Sequence, residues 1–234
     1  MAKNLLYIND ILVEGIYIDT QLAYNKPARI QETINIPGRN GDLIIDDGVF
    51  KNVQIVYPAR VQGGFPPIWG GLINWLGNLP GYNKIACTDD LEHFRQGRVI
   101  LPQTPNLSNI NDIGTFDLAF DCKPQRFLVS GTETTTLTAS GTLENPTNFT
   151  AQPLIRVYGT GDLTINGNKA TISQNDDYTD IDCEMMDCYK GAESRNEYVS
   201  FSKIDFPTLT AGSNTITLGA GITQVEITPR WWEL

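Results

Sequence analysis

The stretch Thr33–Val61, TINIPGRNGDLIIDDGVFKNVQIVYPARV, is the part of the chain whose reading decides the fold class. Ile34 and Ile36 alternate with polar residues until Pro37-Gly38, a pair that interrupts a strand. Asn40-Gly41 follows, and both residues accept the positive φ of a tight hairpin turn. Leu43, Ile44 and Ile45 resume the strand, and Asp46-Asp47-Gly48 signals a second turn. Val53, Ile55 and Tyr57 then alternate along a third strand that is expected to stop at Pro58. The stretch therefore reads as a three-strand β meander with a polar loop carrying Arg39. It holds no nucleophile beside a base and no phosphate-type glycine loop, so it builds a surface.

Working outward, the 234 residues leave room for two compact domains. With 41% hydrophobic and 19% charged residues, the composition is that of a folded chain. No apolar run reaches the roughly 18 residues that span a bilayer, so no membrane insertion is expected. The opening MAKNLLYINDILVEG carries acidic residues where a signal peptide is apolar, so export by that route is not expected. Residues 1–131 hold 11 Lys and Arg against 13 Asp and Glu; residues 132–234 hold 6 against 14. Neither half has the clustered positive charge needed to grip nucleic acid through its phosphates. Cys87, Cys122, Cys183 and Cys188 lack the close spacing of a disulfide framework and read as buried reduced thiols.

Before the meander, Asn9-Asp10 reads as the turn of an opening hairpin. After it, Ile68, Leu72, Trp75, Leu76 and Leu79 fall at helical spacing, with prolines at the mouth and Pro80-Gly81 at the end. A helix is expected around 67–79, its apolar face lying across a sheet. Gly70-Gly71 within it costs about 1 kcal/mol per glycine in helix propensity and would let another backbone approach. Phe116, Leu118 and Phe120 alternate with Thr115, Asp117 and Asp121 along a further strand. The composition shifts at Gly131. Beyond it, short strand-like segments bounded by Gly, Asn or Asp predict a sandwich. The expected architecture is mainly β: a sandwich or barrel-like domain with one helix at 1–131, and an all-β sandwich at 132–234.

No constellation points to catalysis or a cofactor. His93, the lone histidine, has no nucleophile-elbow motif with it and reads as a surface or interface residue. Cys183 and Cys188 lack the second ligand pair that zinc requires. Asp176, Asp177, Asp180 and Asp182 lack the glycine and terminal glutamate of a calcium loop and read as a solvated, acidic strand edge. Trp231-Trp232 is a candidate sugar-stacking pair, but neighbours on a strand point to opposite sides, so at most one lies outside; anchoring of a terminal strand is the plainer reading. A carbohydrate-binding module of a host-surface adhesin is the alternative that these tryptophans and the second sandwich suggest.

Several short segments, in order over about 200 residues, carry a resemblance to a known family. They include Ile36-Pro37-Gly38-Arg39-Asn40-Gly41-Asp42-Leu43, Gly48-Val49-Phe50-Lys51-Asn52 and the tryptophan-bearing helix. Phe120-Asp121-Cys122-Lys123-Pro124-Gln125-Arg126-Phe127, Asn145-Pro146-Thr147, Ile181-Asp182-Cys183-Glu184 and Pro229-Arg230-Trp231-Trp232 continue the series. In these the chain resembles the distal tail protein family of long-tailed, non-contractile bacteriophages. The resemblance implies a structural protein of the virion tail tip, with no enzymatic activity, metal or cofactor. It implies a homo-hexamer whose N-terminal domains ring the DNA exit channel, with a galectin-like C-terminal sandwich outside. The implied partners are the tail tube protein on one face, a tail-associated protein of the fibre or lysin type on the other, and receptor-binding or baseplate proteins. DNA would pass through without specific binding. In such a ring the loop Pro37, Gly38, Arg39, Asn40, Gly41 and Asp42 is the candidate ring or tube contact, and Trp231 and Trp232 the candidate sugar or partner contact.

Overall fold

The structure is a computed structural model. It describes residues 4–19, 25–62, 64–101, 105–108 and 113–234, with the side chains of 62, 66, 107, 108 and 113 left aside. The chain divides into two compact units, Met1–Arg126 with Leu234, and Phe127–Glu233. The composition shift at Gly131 lies just past that division.

The first unit is built from β1 (Leu6–Ile8), β2 (Ile11–Leu12), β3 (Ile16–Ile18), β4 (Arg29–Ile34), β5 (Leu43–Phe50), β6 (Val53–Gln62), α1 (Phe65–Gly77), β7 (Asn83–Cys87), β8 (Asp90–Ile100), β9 (Asn106–Ser108) and β10 (Ile113–Leu128). Its main sheet runs β2-β1-β7-β8-β10-β6-β3, with β9 added beside β10. The Ile18 amide donates to the Asn4 carbonyl at 3.0 Å. That bridge joins the β3 end of the sheet to the residues leading into β1, so the sheet curls into a barrel-like closure. Asn9 and Asp10 both adopt positive φ and make the β1–β2 turn.

Alternation explains the core. Val53, Ile55, Tyr57, Ala59 and Val61 on β6 and Phe116, Leu118, Phe120 and Cys122 on β10 are buried together. Their register sets Ile55 opposite Phe120 and Tyr57 opposite Leu118. Helix α1 adds Phe65, Leu72 and Leu76 to that cluster.

Four local expectations are corrected. The meander is instead a separate two-stranded hairpin, β4–β5, followed by a strand of the main sheet. Asp46-Asp47-Gly48 does not turn the chain, because Gly48 (φ 74) sits in an irregularity of the β4–β5 pairing that absorbs the extra residues. Strand β6 continues through Pro58: its carbonyl accepts from Asp19 N at 2.9 Å, so the side lacking a donor faces the residue just past the end of β3. Helix α1 starts at Phe65 after Gly64 (φ 67), since prolines fit a first turn whose N–H groups have no helical acceptor. Its last carbonyls are closed by Asn78 N to Trp75 O and Leu79 N to Leu76 O. A Cβ at Gly70 or Gly71 would meet nothing within 4 Å, so among the described residues no backbone uses the approach those glycines allow.

The second unit contains β11 (Thr135–Leu137), β12 (Gly141–Asn145), β13 (Leu154–Gly159), β14 (Gly161–Ile165), β15 (Asn168–Ile172), β16 (Tyr178–Asp182), β17 (Asp187–Lys190), β18 (Glu193–Ser194), β19 (Val199–Phe201), β20 (Gly212–Leu218), β21 (Ile222–Thr228) and β22 (Trp232–Glu233). Two sheets, β11-β21-β13-β16-β17-β18 and β12-β20-β14-β15-β19, form a sandwich. Ile155, Ile181 and Val225 from one and Leu163, Ile172 and Ile216 from the other share a single buried cluster. Asn145-Pro146-Thr147 has a structural role there. Buried Asn145 accepts from Thr147 N and Oγ1 at 2.9 Å and donates to the Phe149 and Leu209 carbonyls. Satisfied in this way, a buried amide fixes a loop at little cost.

Candidate assembly interface

The loop Pro37–Asp42 is the tip of the β4–β5 hairpin. Gly38 (φ 83) and Gly41 (φ 80) adopt backbone conformations that other residues resist, and Arg39 N closes the turn on Ile36 O at 3.1 Å. Asn35 Nδ2 bonds Asp42 Oδ1 across the base of the loop at 3.1 Å. The Arg39 side chain is exposed. All six predicted loop residues thus lie together on the one turn at the hairpin tip, which the sequence order alone requires.

The strands behind the tip carry a feature the sequence reading missed. Register pairs Ile34 with Leu43, Thr33 with Ile44, Glu32 with Ile45 and Gln31 with Asp46. Because side chains alternate, Ile34, Leu43 and Ile45 share one face with Glu32, while Gln31, Thr33, Ile44 and Asp46 share the other. Ile30, Ile34, Leu43, Ile44, Ile45 and Val49 are all exposed, and none belongs to the buried core. The polar face is self-contained. Asp46 accepts from Arg29 at 2.7 Å, from Gln31 at 2.9 Å and from Gly48 N at 2.8 Å, and these bonds, led by Gln31, hold its carboxyl below the ordinary range. Arg29 also lies over the Phe50 ring. At the base, Asn25 bonds Gln54 O and Asn52 bonds Tyr82 Oη, while Lys51 N closes on Ala28 O. The hairpin is anchored at its root and bare beyond it. The run Leu43-Ile44-Ile45 was the available signal, but apolar residues in a strand do not reveal whether their own chain covers them.

The tryptophans part company. Trp231 is 5% exposed within the second core and offers no ring face to a sugar. Trp232 stacks on Phe149 with ring centroids 4.4 Å apart and donates Nε1 to the Thr150 carbonyl at 3.0 Å. Both are committed to holding the terminal segment, and Trp231 is corrected as a contact residue because burial has already used it.

The acidic strand is also corrected. β16 is flanked by β13 and β17 and is not an edge. Asp180 and Asp182 are buried, each facing an arginine. Arg156 meets Asp180 at 2.7 and 3.0 Å and lies over the Tyr178 ring; Arg230 meets Asp182 at 2.8 and 2.9 Å. Burial alone would raise the Asp182 pKa, but the two Arg230 bonds and the Met185 and Glu184 amides outweigh it and hold the carboxyl low. His93 is mostly enclosed, with Nδ1 2.9 Å from both Asp90 Oδ1 and Arg126 Nη2, and does not lie on the open surface. All four cysteines are buried thiols, and burial pushes Cys87, Cys122 and Cys188 up to about 12. Among the described residues no cluster of His, Cys, Asp and Glu is disposed to hold a metal, and no helix is long and apolar enough to cross a membrane.

No protein-family profile and no curated protein sequence matches the chain. Solved structures do. The crystal structure of the SPP1 Dit (gp 19.1) protein, described as a paradigm of the hub adsorption apparatus in Gram-positive infecting phages, superposes with a TM-score of 0.68 at 13% identity, over 96% of this chain and 97% of that one. A chain of the phage P2 baseplate in its activated conformation with Ca gives 0.51 at 9% identity, over 97% and 98%. The Sr form of that baseplate gives 0.50 at 8% identity, over 96% and 97%. At these identities the likeness establishes the fold, and it extends over essentially the whole of each chain.

Proposed function

We propose that the protein is the structural hub of a siphophage tail tip. In this reading it forms a homo-hexameric ring around the DNA exit channel and joins the tail tube protein to the tail-associated and host-adhesion proteins. The second unit is a galectin-like platform on the outside of the ring. The observation that carries the reading is the β4–β5 hairpin. An isolated two-stranded ribbon is marginally stable in water, and this one presents an apolar face that the described residues leave bare. A second copy covering that face makes a contact between two different surfaces, and such contacts close into rings when the rotation permits. The full-length likeness to a phage hub protein supports the same reading. The near-neutral first half suits burial between neighbours, where net repulsion would be costly.

Within the ring, the loop Pro37–Asp42 reaches a neighbouring subunit or the tube, with Arg39 offering a forked donor to a carbonyl or carboxylate there. Negative-stain imaging of the purified protein, with light scattering for mass, tests the assembly: six-fold rings are expected, and a monomer at high concentration overturns it. Arg39→Glu is expected to leave the monomer folded and weaken the ring. An undiminished ring would remove the loop from the interface.

A further inference from the structure

A contact between two different surfaces needs a receiver as well as an arm. The first unit carries an open apolar groove between residues 11–15 and the flank of α1 formed by Pro67, Ile68, Gly71, Leu72 and Trp75. Ile11 and Leu12 are 58% and 37% exposed, Pro67 and Gly71 are exposed, and Trp75 is partly buried. A Cβ at Gly71 would meet nothing within 4 Å, so that turn of the helix stays open among the described residues. Close approach of another backbone is what such a glycine allows.

Length and charge both match this groove to the β4–β5 hairpin. Pro67 to Trp75 spans about 12 Å of helix. The exposed apolar residues of β4, Ile30 to Ile34, span about 13 Å of strand. Among the described residues Glu14 is the one charged side chain lining the groove; it is exposed and forms no hydrogen bond or ion pair. The Arg39 side chain at the hairpin tip is likewise exposed and unpaired. The groove thus has an acidic group on an apolar wall, and the arm has a cationic tip on an apolar face. Their order along the two surfaces also agrees. A Cβ at Gly15 would lie 3.0 Å from Ile68, which sets the Glu14-Gly15 turn beside the first turn of α1, with Trp75 toward the far end. A hairpin laid along the groove with its tip at Glu14 therefore places its apolar strands over Gly71 and its root toward Trp75.

We propose that the groove between residues 11–15 and α1 receives the β4–β5 hairpin of a second copy of this chain, with Arg39 paired to Glu14 and the Ile34, Leu43 and Ile45 face laid against α1 at Gly71. This pairing rests on the hairpin being an assembly contact and names the surface on the other side of it. The apolar residues supply the area removed from water, and the Arg39–Glu14 pair fixes which way the arm lies.

Light scattering over a dilution series of the full chain, at low and at physiological salt, reads the midpoint of assembly. Arg39→Glu and Glu14→Arg are each expected to raise that midpoint about tenfold or more, because like charges then face each other. The double variant, with the charges exchanged, is expected to return to within about threefold of wild type. Both single effects should shrink as salt rises. Gly71→Leu fills the floor of the groove and is expected to weaken assembly, yet its monomer should melt no lower, since leucine favours the helix over glycine. It carries the test if Glu14→Arg does not fold. A wild type that stays monomeric at every concentration defeats the ring reading itself. A wild type that assembles, with no rescue in the double variant, overturns the groove as receiver. So does Gly71→Leu assembling at the wild-type midpoint: the groove then faces solvent or a different protein.

Discussion

Replacing Leu43 and Ile45 together by serine removes two apolar side chains from the bare face of the β4–β5 hairpin and leaves both cores intact. In the monomer these residues are 39% and 44% exposed. Full burial of such a side chain contributes about 1.5–3 kcal/mol, so covering the remaining two-fifths contributes about 1 kcal/mol each. The double variant therefore loses about 2 kcal/mol at every subunit contact, or about 30-fold in the association constant of one contact. In a closed ring each subunit donates one hairpin and receives another, so the loss recurs around the whole assembly. A dilution series followed by light scattering should show the midpoint of assembly moved to higher concentration by about 30-fold or more. The monomer should be unaffected: substitutions away from a core change stability by about 0.5 kcal/mol or less, which chemical denaturation at low concentration will read. An unchanged midpoint would refute the assignment of this face to the interface. A clearly destabilised monomer would show that the face is packed by its own chain, against the geometry described above.

Arg230→Met should destabilise the second unit by about 3 kcal/mol at neutral pH, because it leaves the Asp182 carboxylate buried without its cation. The folded Asp182 pKa lies below its unfolded value, so the pair stabilises above the unfolded pKa and that stability fades as pH falls through the folded one. The gap between wild type and variant should accordingly narrow in acid; a pH-independent gap would sink the explanation. Gly114→Ala places a Cβ 1.9 Å from Cε2 of the buried Phe65 ring, itself stacked on Trp69, and should cost about 1–3 kcal/mol by overpacking. Gly70→Ala, where the new Cβ meets nothing, should instead stabilise the first unit by about 1 kcal/mol, and equal melting temperatures for the two alanine variants would contradict both. The assembled protein should not retain duplex DNA at physiological salt, since neither half of the chain concentrates Lys and Arg; retention in a filter-binding assay would show a basic lumen.

The parts of this fold that local chemistry dictates were legible in the chain. Asn9-Asp10 makes its turn with positive φ at both residues, the alternation at Phe116, Leu118 and Phe120 buries those side chains, and the apolar period around Pro66-Pro67 and beyond makes α1. What stayed hidden depends on partners distant in sequence. Asp180 and Asp182 look like a solvated acidic run until Arg156 and Arg230 meet them across sequence separations of 24 and 48 residues. Pro58 looks like a strand terminator until β3 ends beside it. The hairpin is the sharpest instance. Ile34, Leu43 and Ile45 have the same alternation as the buried residues of β6, because a strand covered by its own chain and a strand covered by another obey one rule. The pattern says that a face is to be buried; only the topology says that none of the described residues buries it. An arm of that kind is stable when something else covers it, which is the reason for proposing that the hairpin is an assembly contact.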